Sequence, residues 1–300
     1  MKMSLSFLAV NIAQMPILGS YGNDAVEAVS FNRSDLEDDV WKLVWENIGK
    51  ACAVYGSSNV TYHFPMNDAD YVEDESVYEK LVEAYERACA LGLNGLVVHS
   101  NRIKKFEEWK QMDIANEQKR VIVRLKAVLS TSGVSSNTWI ALENMPLVGN
   151  SGYDIDPLFC FSDDFKDLPG NIGVVWDICH STSTLAYIRA LDTGNLSESL
   201  VLRTNNTDYY DFHNISTKVK HWHFAGYRGL NDPSNNQECI EGVTPKESSL
   251  GEALYADLLQ DIAESKSIDS VINFEIQESD YINRVNGPAA LEWAQTYLVE

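Results

Sequence analysis

Cysteine is scarce in this 300-residue chain. The five residues Cys52, Cys89, Cys160, Cys179 and Cys239 are scattered, odd in number and form no CxxC pair. That argues against a disulfide framework and fits free thiols in a reducing compartment. Long apolar runs are missing too, and none approaches the roughly 20 residues that a membrane span needs. The short run Leu5 to Val10 is broken by Asn11 and Gln14 and lacks well-placed small residues for cleavage. It therefore reads as a first strand rather than a signal peptide, and with no targeting signal a cytoplasmic location is expected. No GxGxxG or GxxxxGK[ST] follows any apolar run, which removes support for a nucleotide-binding sheet. Cations are in deficit, 23 Lys and Arg against 44 Asp and Glu, for a formal charge of −21. So negative a chain repels phosphate backbones at long range, making nucleic acid an unlikely partner, although most of these carboxylates simply solvate the surface.

What the chain does have is a coarse alternation of β-rich runs and helical periodicity. Eight runs read as strands: Ser4–Val10, Val26–Phe31, Val60–Phe64, Gly95–His99, Thr138–Glu143, Ile172–Asp177, Val219–Phe224 and Ser270–Ile276. Most are near-continuous apolar segments that end in a polar or ionisable residue, as strands buried on both faces do. Helical spacing marks Asp35–Val54, Glu75–Leu91, a long charged Ile103–Leu129, Gly251–Ala263 and Pro288–Leu298. The first strand is followed by an irregular link, Ala13–Asn23. The stretches 144–170, 182–218 and 225–250 exceed usual connection lengths; the last, with Gly226, Gly229, Asn231, Pro233 and Asn235, reads as a loop, and long loops are more often functional than idle. The expected architecture is one (β/α)8 barrel of eight parallel strands, a single domain over residues 1–300.

The chain has only six histidines. His63, His99 and His223 lie at strand ends, and His180 follows Asp177 by three residues. Glu143, Asp177 and Glu275 supply carboxylates at three further strand ends. In a parallel barrel all strand C-termini converge on one mouth, where active sites of this fold lie. A carboxylate at the end of an apolar strand is costly unless paired, and one cation can relieve several together. Mixed imidazole and carboxylate donors suit zinc, manganese, iron or cobalt, with magnesium an option where carboxylates dominate. Any one of these residues alone is better explained as a hydrogen-bonded structural group; their joint placement carries the reading. His221 shares a strand face with His223 by period two, so the residues alone leave either as the ligand. His213, in a polar segment, receives no role, and Cys179 reads as a packed thiol.

The order of these motifs resembles the xylose isomerase-like barrel superfamily, which contains sugar isomerases and epimerases and the endonuclease IV nucleases. The likeness runs from about Val26 to Glu278. NVTYHFP, LGLNGLVVHSN, WIALENMP, NIGVVWDICHST, VKHWHF and INFEIQE resemble the family's third to eighth strands. The resemblance implies metal ligands at His63, His99, Glu143, Asp177, His180, His223 and Glu275, with Glu278 a weaker choice than Glu275. The nuclease branch carries an Asp-x-His pair after the seventh strand. VTPKESSLGEAL is its expected counterpart here, with Pro245 and Glu247 in its place and Glu247 a further candidate ligand. Ala225-Gly226 replaces the Asn-Asp that often follows the seventh-strand His.

The resemblance implies a metal-dependent isomerase or epimerase acting on a small sugar, a sugar phosphate or a related hydroxy-carbonyl compound. Its cation would be held by Glu143, Asp177, His223 and Glu275, with Glu143 and Glu275 as the two acid–base groups. His63 and His99 would bind substrate or a second metal, and Trp176, Trp222, Phe64 and Tyr227 would wall the pocket. An alternative is endonuclease IV-like cleavage of abasic DNA, favoured by the full donor set and by the basic stretch Arg102, Lys104, Lys105, Lys110, Lys119 and Arg120. That stretch reads equally as a solvated helix face paired with Glu107, Glu108 and Glu117. A third reading is a non-catalytic metal- or ligand-binding barrel. Association into a homo-oligomer would be in keeping with such barrels.

Overall fold

The computed structural model describes residues 1–131, 137–149, 154–196, 201–232, 237–265 and 270–298. Eight parallel strands close into a barrel: β1 (Lys2–Leu8), β2 (Ala25–Val29), β3 (Val60–His63), β4 (Gly95–Val98), β5 (Trp139–Glu143), β6 (Gly173–Asp177), β7 (Val219–Phe224) and β8 (Val271–Phe274). Each pairs with its neighbours in sequence, and β1 meets β8 in the register Lys2 to Val271, which leaves no open edge. Seven α-helices are described: α1 (Asp38–Tyr55), α2 (Glu75–Leu91), α3 (Phe106–Trp109), α4 (Ile114–Thr131), α5 (Ile178–Asp192), α6 (Glu252–Ser265) and α7 (Asn286–Leu298). The expected barrel is therefore the observed one. None of the helices is long and apolar enough to cross a membrane.

Three expectations are corrected. The predicted helix Ile103–Leu129 is split. Lys104–Lys105 pairs with Asp154–Ile155 as a small antiparallel ribbon, and α3 gives way to α4 at Asp113. Asp113 there accepts from the Asn116 amide at 3.2 Å, a side-chain cap that restarts the helix. The stretch 182–218 is not one long connection, because α5 runs on to Asp192. Its sequence ICHSTSTLAYIRALD is rich in Ser and Thr, whose hydroxyls compete for backbone groups and mask helical propensity. In the folded chain Ser181 and Thr182 donate back to the Ile178 carbonyl and Ser183 to that of His180. Finally, 225–250 contains a hairpin, Gly226–Arg228 with Ile240–Val243, beside the barrel mouth. Residues 233–236 of that stretch lie outside the described residues. The link after β1 is irregular as expected, holding only a 3-10 turn at Ile12–Gln14.

Alternation along each strand sorts side chains between the helical layer and the barrel interior. The outward residues merge with the helices in one large core that includes Trp176, Trp222, Phe224 and Phe274. Facing inward, Val97, Ala141 and Val175 form a small cluster of their own against Trp139. A Cβ on Gly95 would lie 2.2 Å from the Trp139 ring, so the neighbouring strand must carry glycine for the indole to fit inside. Above Trp139 the interior turns polar: the indole meets the tilted ring of His221 at 5.5 Å, and His221 is fully buried with Glu27, His223 and Asn273.

Candidate metal centre

The C-terminal ends of six strands bring all seven expected donors to one mouth. Glu143, the last residue of β5, is at the centre and almost wholly buried. Its Oε2 lies 3.2 Å from His63 Nε2, 3.2 Å from His99 Nε2 and 3.1 Å from His223 Nδ1. Its Oε1 lies 3.5 Å from His180 Nδ1. Asp177 closes β6 and doubles as the cap of α5, accepting from the His180 amide at 2.6 Å. One residue thus turns the strand into a helix and aims both itself and His180 at the mouth. Glu275, just past β8, comes within 3.4 Å of His223 Nδ1. Two groups share Glu143: His63, His99 and Glu143, and Glu143, Asp177, His223 and Glu275. Within each, one donor atom per residue lies within 4.8 Å of all the others.

The donors fit a divalent cation. His223 Nδ1 is buried and close to three carboxylates, yet it makes no hydrogen bond. His63 Nδ1 is held by the Phe64 carbonyl at 2.9 Å and His180 Nδ1 by the Asn144 carbonyl at 2.8 Å, which turns their Nε2 atoms to other partners. Protonation preferences follow burial first and the neighbouring charges second. Burial raises Asp177 to about 6, with Glu143 adding to the effect and His180 opposing it. About a third of the Glu275 side chain is open to the cavity. Desolvation by the protein around the rest pushes its carboxyl up to about 8; His223 opposes this, and Glu143, Glu27 and Asp177 reinforce it. Burial works in the same direction on Glu143, but His223, His99 and His63 outweigh it and hold that carboxyl well below its ordinary range. His180 is depressed by burial, yet Asp177, Glu241 and Glu143 carry it up to about 9.

Above these residues opens a cavity of about 670 Å³, within the usual range for small-molecule sites. Phe7, Phe31, Phe274, Ile276 and Tyr281 form its apolar wall. The aromatics expected there do not. Trp176 precedes Asp177 and Trp222 lies between His221 and His223, so strand alternation turns both outward, where they line a separate pocket of about 200 Å³. Phe64 and Tyr227 are buried in the core. Among the described residues, Arg284 is the one Lys or Arg lining the mouth cavity, and its guanidinium is tied to the Ser6, Gln14 and Tyr281 carbonyls.

The basic stretch is neutralised at its main charges. Arg102 is fully buried against Asp70, Glu73 and Glu117, Arg120 meets Glu73 and Glu117, and Lys110 pairs with Glu107. None of its six residues lines the cavity.

Three residues of the site region escape a reading of the sequence. Glu27 reaches His221 Nε2 at 3.0 Å and His223 Nε2 at 3.2 Å, and Asn273 donates to it at 3.0 Å. An acidic residue inside the apolar run AVEAV is the available signal. Glu241, on the hairpin after β7, faces His180 Nε2 at 3.9 Å. Glu247, the candidate ligand of that region, is instead exposed on a 3-10 turn and accepts from Thr244, because the hairpin brings the earlier glutamate to the mouth. Between His221 and His223, the one with a ring nitrogen at the carboxylate cluster is His223; His221 lies one layer deeper against Trp139. Glu278 accepts from the Val285, Asn286 and Gly287 amides at the start of α7 and is absent from the cavity lining.

The family model described as xylose isomerase-like TIM barrel matches residues 17–298. No curated protein sequence matches the chain. Among solved structures, a D-tagatose 3-epimerase-like protein superposes with TM-score 0.57 at 20% identity, over 99% of this chain and 97% of its own. D-psicose 3-epimerase from Clostridium cellulolyticum H10 superposes with TM-score 0.60 at 12% identity, over 99% of both chains. Endonuclease IV from Thermus thermophilus superposes with TM-score 0.57 at 16% identity, also over 99% of both. At these identities the likeness establishes the shared fold.

Proposed function

This chain belongs to the xylose isomerase-like TIM-barrel family, and from that premise we propose that it is a metal-dependent isomerase or epimerase of a small sugar, sugar phosphate or related hydroxy-carbonyl compound. The observation that carries the proposal is the Glu143, Asp177, His223 and Glu275 group, set at the floor of an open-mouthed, mainly apolar cavity. These four residues would hold the cation, which when bound supplies Lewis-acid polarisation of a substrate carbonyl. The chain's own work is proton transfer. Glu143 ends β5 and Glu275 follows β8, two carboxylates at different points of the mouth; one would take a proton from the substrate and the other would return one. Abstraction at the carbon beside the carbonyl leaves an enediolate, and reprotonation at the other face or at the neighbouring carbon gives the epimer or the isomer. The apolar wall of Phe7, Phe31 and Phe274 keeps water from that intermediate.

A second reading, phosphodiester hydrolysis as in an endonuclease IV-like enzyme, draws on the additional His63–His99–Glu143 group and on His180 beside Glu241. Against it stand the net charge of −21 and the internal pairing of the basic stretch. A barrel that binds metal or ligand without turnover is the remaining alternative.

The test is metal content of protein purified without added metal, together with solvent deuterium incorporation into a panel of ketoses. One equivalent lost in Glu143→Ala but kept in His99→Ala, with carbon-bound deuterium appearing in one ketose, is the expected result. Close to three equivalents of zinc and cleavage of abasic DNA would move the assignment to the nuclease reading. Metal bound without either reaction would favour the non-catalytic barrel. Failure to bind zinc, manganese or cobalt would overturn all the metal-dependent proposals.

A further inference from the structure

Glu27 is a carboxylate in the middle of a barrel strand, with no exposed surface, below the cavity floor and outside its lining. Burying such a charge requires compensating partners, and the structure supplies a specific set. Oε1 receives Asn273 Nδ2 at 3.0 Å and lies 3.2 Å from His223 Nε2. Oε2 lies 3.0 Å from His221 Nε2 and 3.4 Å from His223 Nε2. A carboxylate only accepts here, so both imidazoles must present Nε2–H to it. In the neutral ring a proton on Nε2 leaves the lone pair on Nδ1, the nitrogen a cation can take, and this atom lies 3.1 Å from Glu143, 3.4 Å from Glu275 and 3.9 Å from Asp177 without a hydrogen bond to any of them.

We propose that Glu27 is a positioning residue that holds His223 in the Nε2–H tautomer and so presents Nδ1 as a ligand to the cation of the Glu143, Asp177 and Glu275 group. Carboxylates behind metal-bound imidazoles orient the ring and raise its basicity in this way. His221 has a matching part. It occupies the second oxygen of Glu27 and stops the carboxylate rotating off His223, while Trp139 at 5.5 Å backs its ring. Asn273 ties the arrangement to the mouth, since its Nδ2 also lies 3.4 Å from Glu275 Oε1. Glu27, His221 and His223 could themselves surround an ion by distance. Both Glu27 oxygens are already filled by three N–H donors, however, and all three residues are sealed from solvent, so the trio acts as a hydrogen-bonded support. The inference rests on the metal-centre reading, but it concerns one of the two ligand groups and predicts an effect on that group.

The experiment is zinc affinity by competition with a chromophoric chelator, on the unmutated protein, Glu27→Gln and His99→Ala. Glutamine keeps the size of the side chain but offers one acceptor where two are needed. The expected result is a ~10–100-fold loss of affinity at the site that survives His99→Ala, with the thermal transition still cooperative. Affinities within about twofold of the unmutated protein would overturn the role of Glu27 and leave the metal centre standing. No zinc bound by the unmutated protein would overturn both. If Glu27→Gln does not fold, long-range proton–nitrogen correlation on the unmutated, zinc-loaded protein decides. His223 protonated at Nε2 and zinc-shifted at Nδ1 supports the assignment, and the reverse pattern overturns it.

Discussion

Two clusters of buried charge in this barrel are built on opposite plans. Behind the mouth, Arg102 is sealed against Asp70, Glu73 and Glu117, and Arg120 reaches two of the same acids, so cations and anions meet within the protein. At the mouth, Glu143, Asp177 and Glu275 converge with histidines as the cationic groups beside them, and Arg284 directs its donors to backbone carbonyls. The first cluster is complete as folded and ties the β4–α3 connection to the β3–α2 connection and to α4. The second leaves like charges facing one another in a buried site, and burial first, with the neighbouring carboxylates adding to it, raises the carboxyl pKa values of Asp177 and Glu275. A protein retains such an imbalance where an external cation completes it, and perturbed groups in a cleft mark functional sites for the same reason.

The comparison can be broken most sharply at Glu143, the residue shared by both ligand groups. Glu143→Ala is expected to empty the mouth of metal and to lower turnover by at least ~10²–10⁴-fold, measured by elemental analysis beside the ketose assay. Arg102→Met attacks the other cluster. It takes the guanidinium from buried Glu117, which keeps Arg120, and from the more exposed Asp70 and Glu73, and is expected to cost about 1–3 kcal/mol in denaturant unfolding, while metal content per folded molecule stays unchanged. A loss of metal there would show that the two clusters are not independent. Of opposite sign is the effect of zinc itself: at about 100-fold over its Kd it should stabilise the protein by about 2.7 kcal/mol, with no shift in Glu143→Ala.

The pH dependence sharpens the contrast further. In the metal-free protein the folded pKa values of Asp177 and Glu275, about 6 and about 8, lie above the unfolded ones near ~4. The folded state therefore binds more protons. The stability these groups contribute is complete below the unfolded pKa values and is lost as pH rises through about 6 and then about 8. Bound metal should reverse the trend, because its ligands must be deprotonated and affinity then rises with pH. Thermal melts from about pH 5 to about pH 9 with and without zinc check both signs. The smallest effect is expected at the exposed Lys110–Glu107 pair, where Lys110→Ala should change stability by less than ~1 kcal/mol.

Legibility in the sequence follows the physics of each element. Runs such as GLVV and GVVWD are buried on both faces, so composition alone marks them as parallel strands, and their polar last residues mark the mouth. Helix α5 is hidden because its Ser and Thr residues bond to their own helix, a pattern visible only once the turns exist. Among the glutamates after the seventh strand, position along the chain favours Glu247. The hairpin pairing of Gly226–Arg228 with Ile240–Val243 instead carries Glu241 to His180.

Residue type and periodicity mark the parallel strands and put His63, His99, Glu143, Asp177, His180, His223 and Glu275 at or just past their ends. Both are local properties of the chain. The folded barrel alone settles that Glu143 is shared by two ligand groups, that His223 rather than His221 faces the carboxylates, and that Glu27 lies behind it. Those are distances across the barrel between residues up to 196 positions apart, set by strand register and barrel closure. No local pattern encodes them, because each depends on where the other strands place their side chains.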